Sequence, residues 1–480
     1  MGKGKQPVAK RRKVEPAGDM FRELDHDPLA YLVAPLAEQD FLENNFEQAP
    51  VHLKASQARQ KVFSALFSKD SLDSIAKAKA KGKGPLRFGL DVNAAKYSDG
   101  LRKTLNPEAQ AADAKALNKL FAGGCTLQLH QPQRFAEGLW RLCAALERQL
   151  GCLVGSNAYL TPAGSQGLAP HHDDVEIFVC QTEGQKRWRL YKPVGGFKLP
   201  NECSGDLDPA DLGEPTMEVT LQPGDVLYLP RGTVHQAEAQ EGHSTHITLS
   251  TYQHWSNADL AQRVLGAAMA VQKEATGLPL PLRQGLPVGF LEHFGVQAVA
   301  RQDHGDGGKA AAALAAGLRA LADQVEERPA EMLMLAADDL SEDFMHARAP
   351  PHPCQLPDQG GEPTITSKVY CRGQGWFRVM NRRVGSPADG QDSEDEADEE
   401  NDNHAHGNGH KESEEDEEDE EEETLIFPEA FGPTIAKLLA SMQDQPVAVK
   451  DIQLPGREGS EEDLAEFAAY LWKSGVLCTS

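Results

Sequence analysis

The chain has 480 residues, 40% of them hydrophobic and 25% charged, with a formal net charge of −25. At roughly 150 residues per domain this allows about three domains and excludes a single small module. No apolar stretch nears the roughly 20 residues of a bilayer span, no apolar run follows the basic start MGKGKQPVAKRRKVEP as in a secretory signal, and the eight cysteines form no CxxC pair. Such cysteine usage argues against a zinc ribbon or a disulfide framework and for a reducing compartment.

Residues 1–25 read as a disordered basic arm, in which Lys10, Arg11, Arg12 and Lys13 form a cluster of the nuclear-import type. From about 30 to 80 the pattern is helical, with Phe63, Leu66, Leu72 and Ile75 near one face, and it breaks at the GKGP of 82–85. The middle third changes period. CLVGSNAYLTP, VEIFVCQ, KRWRLYKP, TMEVTLQ, DVLYLP and HSTHITLSTY are six short β-like runs separated by Gly, Pro and Asp, the signature of a sandwich or jelly roll rather than a doubly wound sheet. Helical periodicity returns after Trp255. Asn257 is expected to cap a helix carrying Leu260, Val264 and Val271, and Leu314, Leu318, Leu321 and Val325 form a second stripe. Beyond Pro363, TITSKVYCRG and FRVM read as strands flanking Trp376, and Ser460 with Asp463 makes a capping box before Leu464, Phe467, Ala468 and Leu471, stopped by Gly475.

Much of the net charge is local. Asp392 to Glu423 holds nineteen acidic residues against one lysine, a balance of −18 that leaves −7 for the rest. Such a run repels itself and buries nothing, so 386–424 reads as a disordered acidic insertion, suited to steering basic partners. His404, His406 and His410 within it have no fixed geometry and are assigned no site. With no basic surface in bulk, direct nucleic-acid binding is disfavoured.

The chemistry concentrates in two segments. In PHHDDVEIF (170–178) a His-x-Asp pair on one strand face offers an imidazole and a carboxylate to one metal. PGDVLYLPRGTVH (223–235) turns through Pro-Gly-Asp and delivers His235 on a neighbouring strand. Two histidines and one carboxylate form the facial triad of non-haem Fe(II) oxygenases. Periodicity does not choose between His171 with Asp173 and His172 with Asp174. Lys186 shares a strand face with Trp188 and Leu190, where a lysine is costly unless an anion pairs with it. Cys180 reads as a packed core side chain, and structural roles are expected for His243 and His246.

These stretches, together with FLENNFEQAPVHL (41–53), LRFGLDVNAAKYSDGLRKTLNP (86–107) and GGCTLQLHQPQRF (123–135), resemble the JmjC-type ribosomal oxygenases from about residue 35 to 260. The resemblance implies His171, Asp173 and His235 as metal ligands and catalytic centre, with His172 standing where the family has Tyr. It also implies Lys186 as the group that binds the far carboxylate of 2-oxoglutarate, and Asn157, Tyr159 and Thr248 as polar pocket positions. The expected fold is α+β, a double-stranded β-helix (jelly-roll, cupin-type) core with a helical dimerisation region at 256–350 and a C-terminal winged-helix-like module at 351–480. The oxygenase domain is expected at 26–255, its core at about 115–255. The implied activity uses Fe(II), 2-oxoglutarate and O₂ to hydroxylate a histidine of a large-subunit ribosomal protein, or to demethylate histone lysines, in the nucleus and nucleolus. The partners implied are basic proteins and a second copy of the chain, with no membrane. A non-catalytic nuclear scaffold, or an acidic chaperone of histones and ribosomal proteins, is the alternative.

Overall fold

The structure is a computed structural model, and it describes residues 19–82, 84–107, 111–271, 277–286, 288, 290, 307–380, 424–456 and 459–480. The described chain divides into two compact units, one of residues up to 259 with 344–356 and one of 260–343 with 357–480. The acidic insertion, the import-type cluster and the three histidines at 404–410 lie outside the described residues.

The first unit is built on two antiparallel sheets that fit a jelly roll. Its strands are β1 (Val51–Leu53), β2 (Val92–Ser98), β3 (Leu101–Thr104), β4 (Thr126–His130), β5 (Val154–Thr161), β6 (Glu176–Glu183), β7 (Lys186–Tyr191), β8 (Met217–Leu221), β9 (Val226–Leu229), β10 (Val234–Ala239) and β11 (Ser244–Thr251). Eight pair in the order β1-β9-β6-β11-β5-β4-β2-β3, and three in the order β10-β7-β8. Alternation along each strand sorts the side chains between two cores. Ile177, Val179, Leu227 and Leu229 of the larger sheet pack with Trp188, Leu190 and Leu221 of the smaller. The opposite face of the larger sheet offers Phe178, Cys180, Val226 and Tyr228 to a helical layer.

That layer comprises α1 (Arg22–His26), α2 (Pro28–Val33), α3 (Glu38–Asn44), α4 (Gln57–Leu66), α5 (Lys69–Lys81), α6 (Ala114–Ala122) and α7 (Glu137–Leu150). Phe63, Leu66 and Leu72 are buried as their periodicity predicts, while Ile75 is only partly buried. Two expectations are corrected. The 30–80 region is not helical throughout, because Val51–Leu53 forms a strand against β9. The end of the supposed arm is ordered: Asp19 and Asp25 both bind Arg141, whose side chain is only 3% exposed. A buried guanidinium requires such acceptors, which a composition count cannot foresee.

One turn seats the strand that precedes the site. Gly224 has φ +91, and a Cβ there would stand 2.7 Å from the Gln60 Cα, so the Pro-Gly-Asp turn excludes any larger residue. Asp225 then accepts from Ala55 N at 2.8 Å and Gln222 N at 3.0 Å and faces His52 Nε2 at 2.9 Å, which seats the start of β9 against the chain before α4.

In the second unit, the later part of α8 (Asn257–Ala270), α9 (Leu280–Arg283), α10 (Gly307–Glu327) and α11 (Pro329–Ala347) bury Val264, Ala268, Leu321, Met332 and Ala336. Asn257 opens α8 inside the helix rather than capping it; Ser256 caps it, its N–H and hydroxyl both bonded to Asp259. A three-stranded sheet of β12 (Lys368–Cys371), β13 (Val447–Ala448) and β14 (Leu477–Thr479) carries α12 (Gly432–Leu439) and α13 (Glu461–Lys473). The capping box at Ser460 is present, with Asp463 N donating to Ser460 Oγ at 3.2 Å, and Gly475 with φ +73 follows the helix end. FRVM, by contrast, forms no strand; its place in the sheet is taken by β13 and β14.

Candidate active site

The mouth of the first unit lies between its two sheets, where β10 leaves a tight turn. Thr233 N donates to Pro230 O at 3.0 Å, and Gly232 N donates to Asp173 O at 3.0 Å, tying the turn to the His-x-Asp segment. His171 and His235 then form an isolated antiparallel bridge, with N–H to carbonyl distances of 3.2 and 2.9 Å. The same bridge brings their rings to 4.5 Å between centroids.

Each imidazole is oriented from behind. His171 Nδ1 lies 2.8 Å from Ala169 O, and His235 Nδ1 lies 3.0 Å from Thr233 O. A proton on each Nδ1 makes these hydrogen bonds and leaves each Nε2 lone pair free. Asp173 completes the group: its carboxylate oxygens stand 3.8 Å from His171 Nε2 and 3.7 Å from His235 Nε2. The three donors lie within 4.8 Å of one another. Burial, then the adjacent His171, pushes His235 down to about 4, so its imidazole is neutral and able to ligate at neutral pH. Two imidazoles and a carboxylate on one side of a cavity fit a divalent ion such as Fe(II), with the other side open.

The register ambiguity is resolved by the neighbouring pair. Asp174 points elsewhere, accepting from Gln253 Nε2 at 2.8 Å and Cys203 Sγ at 3.2 Å. His172 is held through its backbone N–H, which donates to Ser204 Oγ at 2.9 Å.

Behind the triad the cavity is lined by Tyr159, Lys186, Trp188, His246 and Thr248, among others. Lys186 is 5% exposed, and its Nζ donates to Thr161 Oγ1 at 3.2 Å. Burial alone lowers its pKa from 10.5 to about 7. Among the described residues no carboxylate pairs with it, so the cavity presents a buried ammonium whose charged state calls for an anion. Tyr159 O accepts from Gln128 Nε2 at 3.0 Å, and burial pushes its phenol upward.

Of the seven expected site residues, the structure brings six around one cavity. Asn157 is the exception: its side chain does not line the cavity, and its Oδ1 meets His130 Nδ1 at 3.1 Å. His246, for which a structural role is expected, is packed into the cavity wall. Its ring stacks on Tyr159 at 4.9 Å and 6° and meets Trp188 edge-on at 5.5 Å, with Nδ1 buried and unpartnered. The signal was available, because on β11 His246 lies two residues from Thr248 and shares its face. His243, the other dismissed histidine, keeps 40% of its side chain exposed, 3.5 Å from Glu183.

Residues 128–260 match the JmjC domain model. Ribosomal oxygenase 1 of Rattus norvegicus is 41% identical over 269 residues, 56% of this chain and 43% of the rat protein. The chain is similar to the JmjC ribosomal oxygenase family. Within it, ribosomal oxygenase 2 of the same rat is 39% identical over 67% of this chain and 64% of its own length. The bifunctional lysine-specific demethylase and histidyl-hydroxylase NO66 of Dictyostelium discoideum is 40% identical over 56% and 50%. This JmjC chain thus spans less than half of the first curated relative it matches and half of the Dictyostelium one.

Proposed function

We propose that this chain is an Fe(II)- and 2-oxoglutarate-dependent protein oxygenase. The single observation that carries the reading is the pairing of a His-Asp-His donor set with a buried, carboxylate-free Lys186 in one cavity. A metal needs the first, and a dicarboxylate co-substrate needs the second.

His171, Asp173 and His235 would hold the iron, and Lys186 with Thr161 would take the far carboxylate of 2-oxoglutarate. When bound, iron and co-substrate supply the activation of O₂ that the protein's own groups lack. The chain contributes orientation and dryness. The carbonyls of Ala169 and Thr233 fix both imidazole tautomers, and Trp188, Ile177 and Val179 keep the cavity apolar around the ammonium. That raises the strength of its attraction for an anion. Tyr159, Thr248 and His246 supply the remaining polar wall.

The substrate reading is a histidine of a large-subunit ribosomal protein, with histone lysine demethylation as a second activity. The names of the relatives, ribosomal oxygenase and histidyl-hydroxylase with lysine-specific demethylase, support it. Nuclear and nucleolar residence is proposed from the basic cluster at 10–13, and basic partners from the acidic run. Pairing of two copies through the helices after Trp255 is part of the same proposal, and membrane attachment is not: among the described residues no helix is long and apolar enough to cross a membrane.

The test is succinate formation from 2-oxoglutarate with added iron and a basic ribosomal or histone peptide. Turnover that adds one oxygen atom to a peptide histidine and is lost in His235→Ala is expected. Turnover unaffected by that substitution would remove the metal assignment.

A further inference from the structure

A second set of metal-ligand residues lies away from the cavity, where the chain returns to the first unit. Residues 344–356 belong to that unit and run along α7. Trp140 Nε1 donates to Pro350 O at 2.7 Å, Ala349 N donates to Glu147 Oε2 at 2.8 Å, and Gln355 Nε2 donates to Arg141 O at 3.0 Å. At the end of this segment, His352 and Cys354 meet Glu137 from the first turn of α7. One ligand atom from each lies within 4.8 Å of the others.

The surroundings fit a cation. His352 Nδ1 is 2.9 Å from Cys354 Sγ, and its Nε2 is 4.0 Å from Glu137 Oε1. Its ring is fixed edge-on against Trp140 at 4.9 Å. Bond lengths of about 2.0–2.3 Å to N, O and S place tetrahedral zinc ligands roughly 3.3–3.7 Å apart, so the donors, within 4.8 Å of one another with one ring nitrogen of His352 serving as ligand, close in to meet an ion. Asp19 and Asp25 also lie near Cys354, but both carboxylates are hydrogen-bonded to Arg141, whereas Glu137 Oε1 stands 3.5 Å from Arg141 Nη1 in a longer ion pair that an ion would compete with. The local charge with Cys354 as thiolate is three carboxylates and one thiolate against one guanidinium, a surplus that a divalent ion offsets.

We propose that Glu137, His352 and Cys354 form a binding site for a borderline-soft divalent ion of the zinc type, with solvent at the fourth position. Its role is structural, clamping the returning segment to α7. The site is independent of the His-Asp-His set, which has no sulfur donor.

That difference in donor chemistry gives the test. Co²⁺ is titrated into the full-length chain while the near-ultraviolet thiolate-to-cobalt charge-transfer band and total bound cobalt are followed. A band that saturates, that zinc displaces, and that persists in His171→Ala and Cys203→Ser is expected. Cys354→Ser is expected to lose the band while still binding cobalt, which also shows that the variant is folded. Glu137→Gln, on the exposed side of α7, is expected to weaken the cobalt affinity read from the band at least tenfold with the chain intact. No thiolate band in the wild-type chain, or a band that survives Cys354→Ser, overturns the proposal.

Discussion

Lys186 Nζ lies 3.2 Å from Thr161 Oγ1, and that hydroxyl is in turn 3.2 Å from Thr126 Oγ1, so a buried ammonium is held by a pair of threonines rather than by a carboxylate. The arrangement keeps the amine in place and leaves its charge available. Removing it from a cavity that binds a dicarboxylate strands one carboxylate, at about 3 kcal/mol or more. Lys186→Ala is therefore expected to raise the dissociation constant for 2-oxoglutarate at least about 100-fold. Calorimetric titration against metal-loaded protein checks this, and unchanged affinity would reassign the lysine.

The same residue predicts a pH dependence. Burial lowers its pKa from 10.5 to about 7. Between those values the unfolded chain carries a proton that the folded chain has released, so this group makes folded stability rise with pH over that window and level off above it. Binding an anion draws the proton back, so 2-oxoglutarate affinity is expected to fall as pH rises above about 7. Urea unfolding and co-substrate titration at several pH values measure both trends, and both are expected to vanish in Lys186→Met.

The metal register gives a third expectation. His171→Ala removes a ligand and is expected to reduce metal affinity by orders of magnitude, while His172→Tyr keeps both metal and turnover. Asp174→Asn leaves the metal in place but disturbs the bonds to Gln253 and Cys203, so its effect is expected in the melting temperature. A variant series in which His172 rather than His171 controls iron binding would reverse the assignment.

What could be read from the residues alone follows from how local the information is. His171, Asp173 and His235 were legible as a candidate group because strand period and turn spacing are short-range, but the choice of face required either the family resemblance or the observed bond from Asp174 to Gln253. Asn157 stands apart from the cavity wall because alternation gives a face and not the nearest partner, and His130 on the adjacent strand meets its carboxamide. Strands β2 to β4 were not identified among the β-like runs, and β1 was hidden in a helical stretch; three residues of VHL carry too little period to read. Buried charges were least legible, since Arg59 and Arg141 look like surface residues until their acceptors, distant in sequence, assemble around them.

Arg59 illustrates how much one such residue holds. Its Nε donates to Gly224 O at 2.9 Å, and its two terminal nitrogens reach the carbonyls of Leu32, Ala34, Leu53 and Lys54 at 2.6–3.1 Å. Five carbonyls at loop and helix ends thus find their donor in one planar fork, a geometry that an ammonium cannot reproduce. Arg59→Lys is expected to cost about 2 kcal/mol and Arg59→Ala about 3–5 kcal/mol, because the acceptors are left buried and unpaired. Denaturant midpoints report both; a shift below about 0.5 kcal/mol in Arg59→Ala would mean that water replaces the fork.

Glu176 supplies the last expectation. Its carboxylate is fully buried, accepts from Arg231 N at 3.1 Å and from the Tyr228 hydroxyl, and is pushed up to about 7, first by burial with the Tyr228 bond opposing. A carboxyl whose folded pKa exceeds its ordinary 4.5 is still protonated in the folded chain after the unfolded chain has ionised. This group therefore makes stability fall as pH rises from about 4.5 to about 7, by on the order of 3 kcal/mol in total, with no further change above. Glu176→Gln keeps one oxygen that accepts from Arg231 N, presents an NH2 that donates to the Tyr228 oxygen instead of accepting from its hydroxyl, and has no proton to lose, so this component of the slope is expected to disappear. Tyr228→Phe removes the bond that favours the ionised form and leaves Glu47 N without the acceptor it now has at 2.9 Å. It is expected to steepen the same slope and extend it to higher pH. Urea unfolding across pH 4 to 8 separates the two variants, and identical profiles for Glu176→Gln and the parent chain would show that Glu176 is ionised in the folded state throughout.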